Sequence, residues 1–190
     1  MVLAEAALAG IVLGLLSGGR LGALGELQIR RVELVYAAIL LQIGAFPSGV
    51  LPWSTPDRIA RVLWLVSFAL LIGFAVANRA VRGLALVFAG LGCNLVAVLA
   101  NGGLMPASPH AIRAAGLAYR LHNNSVSTAY PHLAWLTDRW AVPAWIPWGN
   151  VFSVGDVLIA TGIIVTIVLA MHGRARRERA LAPRRLVADR

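Results

Sequence analysis

The chain alternates between long apolar stretches and shorter polar connections. The apolar stretches occupy residues 2–17, 32–46, 59–77, 83–100 and 152–171. A helix needs about 20 apolar residues, within a range of about 17–25, to cross a bilayer core. The pattern therefore predicts five transmembrane helices. The first two are short, and we expect the bilayer to thin around them.

A signal peptide is the rival interpretation of the first stretch. Signal peptides place positive residues before the apolar run and a small-residue cleavage site after it. Here Glu5 lies at the start of the run, and the first arginine, Arg20, follows it. We therefore expect a retained helix whose N-terminus lies outside.

The composition agrees with a membrane protein of one domain. Hydrophobic residues make up 59% of the 190 residues and charged residues 13%, whereas a soluble domain is about 25% charged. The mean hydropathy is +0.76. We predict an all-α integral membrane domain over residues 1–172 and a disordered, basic cytoplasmic tail over residues 173–190. The single cysteine, Cys93, excludes an internal disulfide.

The arginines define the orientation, because cytoplasmic segments of membrane proteins carry an excess of basic residues. All 17 basic residues are arginine, and an outer N-terminus places 12 of them on the cytoplasmic side. The remaining five are Arg58, Arg61, Arg113, Arg120 and Arg139. The absence of lysine is typical of a GC-rich bacterial genome. We therefore predict a multi-pass protein of the bacterial cytoplasmic membrane with its C-terminus in the cytoplasm.

The tryptophans fall on the outer side in this orientation. Five of the six lie in outer connections, namely Trp53, Trp135, Trp140, Trp145 and Trp148. Tryptophan prefers the membrane–water interface, where its ring is buried and its N–H finds a partner. The arginine-rich tail has no aromatic residues that would stack on bases. The partners we predict are membrane lipids, with other membrane-protein subunits as a further candidate, and no nucleic acid.

The outer connection over residues 101–150 is too long for a structureless loop. Ser108-Pro109 is a typical helix start, and residues 109–121 place apolar and charged positions on opposite faces. A second short helix is expected over residues 132–140. The fold class we predict is therefore five transmembrane helices plus an outer loop with one or two short interfacial helices.

A few polar side chains interrupt the apolar stretches, where they are costly and need a reason. They are Glu5, Gln42, Asn94 and Asp156, with Asn101 at a helix end. All of them are predicted to lie in the outer half of the membrane. With Ser153 they form a candidate cluster for ligand binding or for structure. For Asp156 a structural role is sufficient, since a carboxylate at a helix N-terminus is stabilised there.

Small residues form stripes on two of the predicted helices. On the fourth, a face is made by Gly83, Val87, Gly90, Asn94, Ala97 and Asn101. On the first, the corresponding stripe is Ala6, Gly10, Gly14 and Gly18. Small residues allow helices to approach closely inside a membrane, so both helices are expected to pack tightly against partners.

Three segments carry a family resemblance. They are Gly18-Gly19-Arg20-Leu21, then Asn101-Gly102-Gly103-x-Met105-Pro106-x-Ser108 with Ala114-Ala115-Gly116-Leu117 after it, and Phe152-Ser153-x-Gly155-Asp156. Together they resemble a family of small bacterial membrane proteins known only as a domain of unknown function. The resemblance covers nearly the whole chain. It implies a multi-span protein of the cytoplasmic membrane and no known activity, substrate or catalytic residue.

No catalytic, metal or cofactor site is predicted. The loop histidines His110, His122 and His132 are spaced by twelve and ten residues, which matches no compact metal motif. A heme would need axial ligands within the helices, and His172 lies at a helix end. No Ser or Cys stands beside a base in a recognisable nucleophile motif.

The function we predict is that of a non-enzymatic accessory or binding protein with a polar site at its outer face. Its residues are Asn94, Asn101, Asp156, Ser153, Glu5 and Gln42, with Gly102, Gly103, Pro106 and Ser108 in the outer turn. The alternative is a membrane-embedded enzyme or carrier for a lipid-like or small polar substrate at the outer leaflet. That alternative predicts a water-accessible cavity reaching Asp156.

Overall fold

The computed structural model describes residues 2–47, 54–117, 125–146 and 149–181, and these residues are mostly helical. Within them the α-helices are α1 (Val2–Leu16), α2 (Val32–Ala45), α3 (Asp57–Ala77), α4 (Leu84–Ala100), α5 (Pro109–Ala114) and α6 (Val154–Leu181). Short 3-10 helices lie at Leu21–Glu26 and Ala134–Leu136. The strands are β1 (Met105–Ala107), β2 (Ser125–Ser127), β3 (Trp140–Ala141) and β4 (Val151–Phe152).

Each of the five predicted apolar stretches forms a helix, but their lengths differ. Two described segments are long and apolar enough to cross a membrane, α3 with 21 residues and the first 20 residues of α6. The other apolar helices, α1, α2 and α4, have 15, 14 and 17 residues. By length and composition alone, two membrane-spanning helices are therefore supported, where the sequence predicts five.

Helix α6 is longer than predicted. It continues to Leu181, ten residues beyond the predicted end at residue 171. The added residues are mostly Arg, Ala and Glu, which have high helix propensity, so the helix extends into the segment for which we predict disorder. Residues 182–190 lie outside the described residues.

Helix α6 packs between α1 and α4, and α3 packs between α4 and α2. Most of the small residues in the stripes on α1 and α4 face α6, whereas a Cβ atom at Gly18 would have no neighbour within 4 Å among the described residues and Asn101 contacts the cap. Gly10 approaches Ile164 and Ile167, and Gly14 approaches Met171 further along α6, so α1 runs parallel to α6. Gly90 approaches Gly155, whereas Gly83 approaches Thr166 further along α6, so α4 runs antiparallel to it. The predicted tight packing therefore has one common partner, α6.

The main hydrophobic core lies at the end of the helices that carries the long loop. It joins α3, α4, α6 and the loop through Trp64, Phe68, Leu91, Ala97, Val98, Met105, Leu136 and Ile159. Trp64 is its largest side chain and contacts Phe46 edge-to-face, with ring centroids 5.5 Å apart. The loop therefore contributes to the core instead of lying loosely over it.

We call the described part of residues 101–153 the cap, and its secondary structure differs from the prediction. Helix α5 starts after Ser108 as expected but ends at Ala114, because Gly116 adopts φ +66° and terminates the turn. Instead of a helix over residues 132–140, a 3-10 turn is followed by β3. Strand β3 pairs antiparallel with β4, and β1 pairs parallel with β2. Aromatic and β-branched residues such as Trp140 and Val151 favour this extended structure.

Candidate functional site

Three of the predicted site residues meet where α4 packs against the start of α6. Asn94 Nδ2 donates to Asp156 Oδ1 over 3.0 Å. The Ser153 hydroxyl lies 2.8 Å from both Asn94 Oδ1 and Asp156 Oδ2, and its one proton is donated to one of them at a time. Ser153 and Asn94 are buried. We call these three residues the polar cluster.

Ser153 and Asp156 also cap α6. The Asp156 amide N–H donates to Ser153 Oγ at 3.1 Å, and the Ser153 N–H donates to Asp156 Oδ2 at 2.9 Å. This reciprocal arrangement satisfies two backbone donors that a helix start leaves without partners. Ser153 and Asp156 thus form a capping box at the start of α6, and Asn94 of α4 bonds to both of their side chains.

Asn101 lies apart from the polar cluster and holds the cap. As the C-cap residue of α4, Asn101 donates from Nδ2 to the His132 carbonyl at 2.9 Å and accepts from the His132 N–H at Oδ1, also at 2.9 Å. Asn78 makes the same paired contact at the end of α3, with the backbone of Arg30 at 2.8 and 2.7 Å. Sequence reasoning missed Asn78, which is also buried.

Replacing Asn101 by alanine is expected to loosen the cap. The change removes both bonds to His132 and costs about 1–3 kcal/mol. Limited proteolysis in detergent should then cleave the cap several-fold faster. The matched control is Asn78→Ala, which removes the same pair of bonds at the opposite end. It should lower the unfolding temperature but leave cap cleavage at the wild-type rate; equal cleavage of both variants would contradict this role of Asn101.

Gln42 and Glu5 do not join the polar cluster. Gln42 Nε2 donates to Ser67 Oγ at 3.0 Å and links α2 to α3. Glu5 is exposed on α1. The prediction grouped these side chains by depth in the membrane, but depth alone does not place residues of different helices in contact.

The outer turn connects α4 to the cap. Gly102 and Gly103 adopt φ +70° and +87°, a region that favours glycine. Pro106 lies buried in β1, and its carbonyl accepts from the Asp138 N–H at 3.0 Å. The Ser108 N–H donates to the Asp138 carbonyl at 2.9 Å, while its side chain makes no capping bond to α5.

Asp138 is the site residue that sequence reasoning missed. It is buried, with 7% of its surface exposed. Burial, with a further contribution from the negative charge of Asp156, raises the pKa of Asp138 to about 7. The signal in the sequence is that Asp138 is the only acidic residue between Asn101 and Asn150. Two carboxyl groups therefore interact where the cap meets α6.

Together, the fold and the site define a small, mostly helical protein whose apolar helices carry a folded cap at one end. The chain belongs to DUF5317, a family of unknown function, whose model matches residues 26–168. The matched range contains the outer-turn and α6-start motifs but leaves Gly18–Leu21 outside. An uncharacterized protein of Thermotoga maritima is 30% identical over 139 residues, which cover 70% of this chain and 76% of that protein. No solved structure matches.

Proposed function

We propose that this chain is a five-span protein of the bacterial cytoplasmic membrane, with the N-terminus outside, that works as a non-enzymatic accessory or binding protein through its outer face. The observation that carries the proposal is that all five apolar helices expose large aliphatic side chains. Examples, one from each helix, are Leu8 (63% exposed), Leu40 (69%), Val62 (55%), Leu99 (56%) and Val157 (47%).

Lipid is the solvent that suits such surfaces. Soluble monomers rarely expose contiguous apolar patches of more than a few hundred square ångströms. In both long helices only 28% of the apolar window is buried, whereas the core helix of a soluble protein would be mostly covered. The short helices α1, α2 and α4 suit a locally thinned bilayer.

The directions of the helices support five spans. Helices α1 and α6 run parallel, and α4 runs antiparallel to both. Five consecutive spans that start outside give the same directions. The cap then lies outside, where the long connection between α4 and α6 belongs.

The bonding of the polar residues favours a non-enzymatic role. The Asp156 carboxylate accepts bonds from Asn94 and Ser153, and Asn101 is paired with the backbone of His132. An enzyme or carrier using these groups would need them free to meet a substrate. Instead they fix the cap on the helices. The cap presents exposed aromatic side chains, Tyr130 at 94% and Trp145 at 81%, which suit a lipid interface or a partner subunit.

Cysteine labelling in intact cells tests the topology. In a Cys93→Ser background, Tyr130→Cys on the cap should react with a membrane-impermeant maleimide added outside. Arg79→Cys, in the connection from α3 to α4, should react only after permeabilisation. Reaction of Arg79→Cys in intact cells, or protection of Tyr130→Cys, would overturn the orientation. Recovery of the chain in the soluble fraction would overturn the membrane assignment.

A further inference from the structure

A pocket of about 510 Å³ lies at the start of α3, beside the outer turn. Its charged rim consists of Asp57, Arg58 and Arg61 from the first turns of α3. Gly102 and Gly103 of the outer turn close one side. None of the residues assigned above to the polar cluster lines it, so it is a separate feature.

Arg61 brings unused hydrogen-bonding capacity to this pocket. Its Nη1 donates to the Gly102 carbonyl at 3.1 Å, which orients the guanidinium. Its Nε is buried and has no hydrogen-bond partner among the residues that the structure describes. A ligand in the pocket cannot reach this buried atom, so the donors open to a ligand are those at the exposed end of the guanidinium, where Nη1 alone has a partner among the described residues.

Within the part of the chain that the structure describes, the arginines of the pocket form no ion pair. Among the described residues the ion pair that forms is Arg31 with Glu33, far along the chain. Asp57 lines the same pocket but forms no ion pair with Arg58 or Arg61. Arginine binds phosphate oxygens through its planar set of N–H donors, so the pocket suits a phosphate group.

The rest of the pocket is apolar. Val62 and Leu65 lie one turn further along α3, and Leu99 faces them from α4. In the proposed topology the arginines stand at the level of the lipid headgroups, and these aliphatic side chains lie deeper. A charged rim above an apolar wall fits an amphiphile rather than a fully hydrated ion.

We propose that this pocket binds a phosphate group, and that the phosphate is the phosphodiester of a phospholipid in the outer leaflet. The two arginines and Asp57 leave one net positive charge at the rim, which attracts a phosphate group. The apolar wall supports the source, because Val62, Leu65 and Leu99 suit the acyl chains of a lipid and offer no hydrogen bond to free phosphate. The inference rests on the proposed function, because the topology places the pocket at the outer leaflet.

Native mass spectrometry of the purified full-length protein in detergent tests the proposal, with phosphatidylglycerol as the probe. Wild-type protein should retain one lipid per chain. Arg61→Gln and the exposed-site variant Arg58→Gln should each weaken retention about tenfold or more, the loss of a charged hydrogen bond. Arg113→Gln, which changes an exposed arginine of the cap, is the matched control and should bind like wild type.

Each outcome decides a separate point. Unchanged retention in both Arg58→Gln and Arg61→Gln, or equal loss in Arg113→Gln, overturns the site. A millimolar inorganic phosphate arm that binds wild type as tightly as phosphatidylglycerol overturns the lipid as the source. The cysteine labelling separates this result from the topology: correct labelling with no lipid retention rejects the pocket alone, whereas incorrect labelling rejects the proposed function.

Discussion

Replacing Gly90 by alanine is expected to separate α4 from α6 and to destabilise the protein by about 1–3 kcal/mol. A Cβ atom at this position would overlap the carbonyl oxygen of Gly155 and lie 2.9 Å from the Ile159 backbone nitrogen. Both neighbours are backbone atoms of a packed helix, so no side-chain rotation relieves the contact. The helices must move apart, and the bond from Asn94 to Asp156 would lengthen with them.

Gly92, two residues along the same helix, is the matched control. A Cβ atom there has no heavy atom of another described element within 4 Å. Alanine at Gly92 should therefore stabilise α4 by about 0.5–1 kcal/mol, the usual gain over glycine inside a helix. Thermal unfolding in detergent, followed by tryptophan fluorescence, should separate the two variants clearly. Equal unfolding temperatures would show that α4 and α6 do not approach closely at Gly90.

Replacing Asp138 by asparagine is expected to stabilise the protein at pH 8 and to leave it nearly unchanged near pH 4. The pKa of Asp138 is raised from 3.8 to about 7, first by burial and then by the charge of Asp156. Between pH 3.8 and about pH 7, the Asp138 carboxyl keeps its proton in the folded protein and has lost it in the unfolded chain. Stability from this group therefore falls as pH rises from about 4 to 7, and the loss is complete above 7.

The loss amounts to roughly 4 kcal/mol at pH 8, since one pKa unit corresponds to about 1.4 kcal/mol. Asparagine cannot ionise, so Asp138→Asn should flatten this part of the pH profile. Unfolding temperatures measured from pH 4 to pH 8 would reveal the difference. Parallel profiles for wild type and Asp138→Asn would contradict the burial of a titrating carboxyl group here.

Asp156→Asn provides the comparison for this profile. It removes the second cause of the raised pKa at Asp138, so the pH-dependent loss should become smaller. It also removes the carboxylate that accepts from the Ser153 N–H and hydroxyl, so stability should fall at every pH. If Asp156→Asn changes only the pH at which stability is lost, and does not lower the unfolding temperature, Asp156 has no capping role.

The positions of the apolar helices, and the pairing of Ser153 with Asp156, could be predicted from the sequence. Apolar stretches and small-residue stripes depend on local spacing, so they correctly indicated which faces of α1 and α4 pack closely. Ser153 and Asp156 are near in sequence, and their capping geometry follows from a helix start. That both stripes meet the same helix, α6, was not predictable, since nothing in either stripe identifies its partner.

The cap was predicted less well, for a physical reason. Strand β1 pairs with β2, about twenty residues away, and β3 pairs with β4 across an irregular segment. Such short strands exist only through pairing with distant residues, which local patterns do not encode. The burial of Asp138 has the same origin. The paired contacts of Asn78 and Asn101 likewise depend on which connection each helix end meets.

The central position of α6 has a consequence for the nascent chain. Helix α1 packs principally on α6, yet the two lie at opposite ends of the sequence. At about 5–20 residues per second, α1 is made many seconds before its packing surface exists. During that time its glycine stripe faces lipid or the insertion machinery. Helix α6 therefore completes this packing, and a ribosome that stops before α6 leaves both α1 and α4 without their common partner.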